Sequence, residues 1–103
     1  MIIRWSYKAQ KQLNQVADYI YNEFGEKSLL DFYNKLDSIE TELLSFPELG
    51  KEEPLLVGKS HIYRSIVITK KSKLVYTTDA DCIRISALWD TRREPKKQAN
   101  TLK

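Results

Sequence analysis

At 103 residues, 42% of them hydrophobic and 30% charged, the chain suffices for one packed core and is too short to divide further; its composition excludes the class that stays disordered. No apolar stretch approaches the ~20 residues that cross a bilayer, and "MIIRWSYKAQ" lacks an apolar segment followed by a small-residue cleavage site, so a cytoplasmic protein forming one domain over residues 1–103 is expected. Charge is uneven: residues 1–58 hold 6 Lys/Arg against 10 Asp/Glu and residues 59–103 hold 11 against 4, so a net of −4 precedes a net of +7.

In chain order, "IIRW" (2–5) is short and apolar enough for an edge or a parallel strand, and Ser6 offers a hydroxyl to the free amides of a following helix. Ala9, Leu13, Val16, Ala17, Ile20 and Phe24 recur at spacings of three and four and form one apolar stripe, which Gly25 ends. Ser28 followed by Asp31 resembles a capping pair for a second helix, whose stripe is Leu29, Phe32, Tyr33, Leu36, Ile39, Leu43 and Leu44 and whose end is Pro47. Two helices joined by so few residues lie antiparallel.

Beyond the polar loop "FPELGKEEP" the period becomes that of strands. "IYRSIVI" (62–68), "KLVYTT" (73–78) and "CIRISALW" (82–89), separated by polar turns, predict three consecutive antiparallel strands. In the last, Ile83, Ile85, Ala87 and Trp89 are expected to face the helices, and Cys82, Arg84, Ser86 and Leu88 the partly open side. Arg64 shares its parity with Ile62, Ile66 and Ile68, which leaves its face undecided. Pro95 suits the first turn of a short helix that would fix Arg92, Arg93 and Lys96 beside the sheet. The expected fold class is α+β: an N-terminal strand and an antiparallel helical hairpin packed on an antiparallel β-sheet, with residues 91–103 as a short basic C-terminal extension.

The chemistry-bearing residues are few. Glu52-Glu53 falls in a loop and Asp79/Asp81 brackets a hairpin turn, where carboxylates serve the local backbone. Neither has the partners of a zinc site or the spacing of a calcium loop, so no metal site and no cofactor are expected. Cys82 stands alone in an apolar run and reads as inert packing. There is one histidine, His61, and no "GxSxG" or "GxGxxG", which removes hydrolase and nucleotide-binding readings. His61 sits in "GKSHIYR" and reads first as a surface residue; with Lys59, Tyr63 and Arg64 it also supplies the groups that cleavage of RNA at its 2′-hydroxyl requires. "TKKSK" (69–73) places Lys70 and Lys71 at a basic hairpin tip, where lysines discourage edge pairing or contact phosphate. A basic second half attracts phosphate backbones or an acidic protein, and charge alone does not choose between them.

The order of parts, with "WSYKAQKQLNQVADYI", "LLSFPELGK", "YRSIVI", "KLVYTTDADCIRISALWD" and above all "RREP", resembles the RelE/ParE superfamily of toxins from type II toxin–antitoxin systems, closest to the ParE or plasmid stabilisation branch. The resemblance covers nearly the whole chain and implies a toxin that arrests growth when its antitoxin is degraded. It implies a cognate acidic antitoxin, whose disordered segment suits the basic second half, and a toxin–antitoxin hetero-oligomer. ParE-like members poison DNA gyrase by binding and need no catalytic group. RelE-like members are ribosome-dependent mRNA endonucleases that use Arg, Lys and Tyr.

Residue by residue, Lys73 stands where the RelE pattern has an arginine, keeping the charge and losing the bidentate geometry. Arg92 or Arg93 matches a second arginine, and no tyrosine follows Tyr76 to match the C-terminal one. A ribonuclease here would draw on Lys73, Arg92, Arg93 and Arg64, with His61 or Tyr76 as acid/base group; the missing tyrosine favours the gyrase poison. For contact with target or antitoxin the candidates are Lys59, Arg64, Lys70, Lys71, Arg84, Arg92, Arg93 and Lys96. A third possibility is a degenerate, non-toxic member that only binds its antitoxin.

Overall fold

In the computed structural model, which describes residues 1–91, strand β1 (Ile2–Trp5) leads directly into helix α1 (Tyr7–Phe24). The junction is made by Ser6, whose Oγ accepts the Ala9 amide at 3.0 Å and so satisfies one of the free donors of the first turn. α1 ends at Gly25, which adopts φ +91° and donates its N–H to the Tyr21 carbonyl. Helix α2 (Glu26–Ser45) begins on the next residue. A left-handed glycine turns the chain without a loop, and this corrects one expectation: Ser28 and Asp31 lie inside α2, and no side chain caps its start.

The remaining strands are β2 (Lys51–Glu52), β3 (Arg64–Thr69), β4 (Ser72–Thr78) and β5 (Cys82–Asp90), with one turn of 3-10 helix at Pro54–Leu56. They form a five-stranded sheet in the order β1-β5-β4-β3-β2. Only β1 runs parallel to its neighbour, β5; the other pairs are antiparallel. The loop "FPELGKEEP" is therefore not wholly irregular, since Lys51 and Glu52 pair with Ser65 and Arg64.

Both helices cover one face of the sheet. Ala9, Leu13, Phe32, Leu36, Ile39 and Leu43 meet Ile68, Leu74, Tyr76, Ile83, Ile85 and Leu88 in the main core, each large apolar side chain contributing about 1.5–3 kcal/mol by leaving water. Val16 and Ile20 pack at its margin, whereas Phe24, expected in the same stripe, is 58% exposed.

Strand β5 does not keep one parity. Val75 pairs with Ala87 and Tyr76 with Ile85, so Ser86 is an extra residue opposite the β4 backbone. Such a bulge flips every side chain beyond it. Leu88 consequently joins the main core, and Ala87 and Trp89 turn away from the helices, contrary to the alternation read from sequence; they form a second cluster with Leu56, Tyr63 and Val75 on the far face. No helix among the described residues is long and apolar enough to cross a membrane. The expected helix after Pro95 and the placement of Arg92, Arg93 and Lys96 lie outside the described residues.

Candidate binding surface of the sheet

The bulge at Ser86 makes the far face. Beyond it Trp89 packs within the second cluster, with Lys73 as its neighbour across the strands. The Lys73 ammonium is 5.4 Å from the centre of the indole ring and is paired with Glu53 Oε1. The Glu53 amide donates to the Tyr63 carbonyl at 2.8 Å, which holds the segment after β2 down over the sheet while Leu56 and Tyr63 close on Trp89. Glu53 is thereby 0% exposed. Its Oε2 and the Trp89 Nε1 are both buried without a hydrogen-bond partner. A carboxylate in the dry interior requires a counter-charge, and Lys73 supplies it. By sequence alone Glu53 is an ordinary loop carboxylate, since nothing local in "KEEP" announces a partner twenty residues along the chain.

Tyr76 and Arg64 sit on the opposite, helix-covered face. The Tyr76 hydroxyl donates to the Pro47 carbonyl at 2.9 Å and accepts the Gly50 amide at 2.8 Å. Burial pushes the phenol above its ordinary value, offset in part by the Gly50 N–H and by nearby Arg64. Arg64 Nη1 donates to the Gly50 carbonyl at 2.9 Å, so Gly50 is gripped at both backbone groups. A β-carbon on Gly50 would come within 2.8 Å of the Ser65 carbonyl oxygen and 2.9 Å of the Tyr76 ring and hydroxyl.

Arg84 occupies the far face, exposed as expected, with Nε 2.7 Å from Asp79 Oδ2. Its guanidinium is held above the ordinary value first by that hydrogen bond and then by the Asp79 charge. Arg4, an exposed β1 residue with no signal of its own in the sequence, pairs with Arg84 in register across the parallel strands. The signal that could have found it is the parallel-strand option for "IIRW", which sets two arginines side by side.

His61 is exposed, its ring edge-to-face with Tyr63 at 6.4 Å, and Lys59 is half-buried in the same segment. Lys70 and Lys71 form the exposed tip of the β3–β4 hairpin, at the end of β4 away from Arg84. The sequence-predicted residues thus divide. Lys73 and Arg84 share the far face, Arg64 and Tyr76 lie on the helix side, and Lys70 and Lys71 mark the tip. None of them lines the cleft of about 570 Å³ between Met1, Phe46, Pro47, Leu49 and Thr78.

A family model described as the ParE toxin of type II toxin–antitoxin system, parDE, matches residues 3–95. Among solved structures, the chromosomal ParDE TA system from P. aeruginosa superimposes with a TM-score of 0.69 at 16% identity, over 87% of this chain and 95% of that one. The YoeB dimer from Staphylococcus aureus gives 0.58 at 20% identity, over 90% of this chain and 98% of that one. At these identities the two structures speak for the fold alone. The comparison with curated proteins gives no match.

Proposed function

The chain belongs to the ParE toxin family of type II toxin–antitoxin systems, and from that premise we propose that it arrests growth by binding and poisoning DNA gyrase, with no catalytic group of its own, until a cognate acidic antitoxin covers it. The observation that carries this reading is the internal use of the groups a ribonuclease would need. Lys73 neutralises buried Glu53, the Tyr76 hydroxyl is occupied on both sides, and Arg64 holds a backbone carbonyl. General acid–base work requires a group within reach of substrate and free to exchange a proton; Tyr76 meets neither condition. Exposed cations remain at Arg4, Arg84, Lys70 and Lys71, which suits contact with an acidic surface on gyrase or antitoxin. Arg92, Arg93 and Lys96 join this contact set in the proposal.

A second reading, a ribosome-dependent mRNA endonuclease, is favoured by one observation: exposed His61 stands against Tyr63, which packs on the same face as Lys73. Two assays on the purified chain separate them. Loss of supercoiling by gyrase with no cut in mRNA on translating ribosomes supports the first; cut mRNA with untouched gyrase supports the second. If induced expression leaves growth unchanged, the chain is a non-toxic member that only binds its antitoxin.

A further inference from the structure

Helix α1 ends on an aromatic ring that the core does not take up. Phe24 is 58% exposed, lies edge-to-face with Tyr19 at 6.2 Å, and carries the Lys71 ammonium 5.7 Å above its centroid. Tyr21, also exposed, precedes Phe24 by three residues, the spacing of neighbours on a helix surface.

The lysines are set on fixed backbone. The Lys71 amide donates to Thr69 Oγ1 at 3.2 Å; the Thr91 amide donates to the Lys71 carbonyl at 3.0 Å and Thr91 Oγ1 donates to the Lys70 carbonyl at 2.7 Å. Thr91, the residue after β5, therefore ties down the hairpin tip. Glu23 and Glu26 flank the ring on the helix side in sequence, so the cationic side of the patch is the hairpin.

We propose that Phe24, Tyr19 and the Lys70–Lys71 tip form a binding site for single-stranded nucleic acid, with a base stacked on the exposed ring and its phosphates held by the two lysines. An acidic peptide would use the cations and has no need of a flat, exposed ring. A single strand offers a π-face and a phosphate at every nucleotide, while a duplex keeps its faces stacked inside. In the unbound chain Lys71 covers the ring by a cation–π contact; on binding, the base replaces it and the ammonium moves to a phosphate. This goes beyond the gyrase reading and shares Lys70 and Lys71 with its contact set; Phe24 and Tyr19 belong to the single-strand site alone, so Phe24→Leu tests it apart from gyrase contact.

The test is fluorescence anisotropy of the purified full-length chain with a labelled oligo-dT or oligo-U of about 12 nucleotides, a length within the usual single-strand site sizes. Phe24→Leu, which keeps an apolar side chain and removes the ring, is expected to weaken binding about tenfold, the size of one lost stack. Lys70→Ala with Lys71→Ala is expected to flatten the log–log salt dependence by about 1.4, two phosphate contacts at ~0.7 each. Both sets of side chains are exposed, so thermal melts should match the parent. Phe24→Leu binding as tightly as the parent overturns the proposal. So does displacement of the labelled strand by poly-glutamate or by an equal-length duplex as readily as by the unlabelled strand.

Discussion

Glu53 and Lys73 form an ion pair in which the Glu53 side chain is fully buried and the Lys73 side chain, 22% exposed, carries its ammonium over Trp89. The pair fastens the segment after β2 to the far face of the sheet. Removing one partner leaves the other charge uncompensated, which typically costs about 3–5 kcal/mol, and Lys73→Met leaves that charge on the fully buried Glu53. Lys73→Met is expected to destabilise strongly, and adding Glu53→Gln to recover part of the loss. Urea midpoints of the two single variants and the double variant measure the coupling.

Tyr76 gives a pH dependence with a definite sign. Its folded pKa is raised by burial, so above about pH 10, the unperturbed value, the unfolded chain releases this proton first. The contribution is fully present below about pH 10 and is lost as pH rises toward the folded pKa. Tyr76→Phe removes the hydroxyl that meets Gly50 and Pro47, orphaning the buried Gly50 amide at a cost of about 1–3 kcal/mol. The parent's advantage over Tyr76→Phe, read from urea unfolding, should hold up to about pH 10, the unperturbed tyrosine value, and shrink as pH rises above it.

Gly50 sits where there is no room for a side chain. Its added β-carbon would meet backbone and ring atoms below 3.0 Å, closer than packed atoms approach. Gly50→Ala is expected to destabilise by about 1–3 kcal/mol, as overpacking does, with a fall in melting temperature as the readout.

Much of this architecture is legible in the sequence because its signals are local. Ser6 caps α1 through an amide three residues away, Gly25 stops it, and the β-rich runs become strands within two residues of their expected ends. What escaped is set at long range. The bulge at Ser86 exists only in the pairing of β4 with β5, so alternation carried Trp89 and Ala87 to the wrong face. Glu53 looked like a loop carboxylate because its counter-charge stands on another strand. Phe24 kept the helical spacing of buried residues, yet the ring lies under Lys71 at the surface.

Arg84 and Asp79 make the contrasting case. Both are exposed, and such pairs contribute little. Arg84→Ala and Arg4→Glu should leave the melting temperature close to that of the parent and weaken growth arrest. Toxicity in an induced culture, compared with the melt of the same variant, separates a contact role from a folding role.

Binding to gyrase is the act on which the proposed toxicity of this ParE-family chain rests. The most direct measurement incubates gyrase, ATP and supercoiled plasmid with the purified chain, then adds detergent and protease. Linear plasmid, marking trapped cleavage complexes and increasing with toxin concentration, is the predicted result. Plasmid that stays uncut and is supercoiled at the normal rate at every concentration would contradict it.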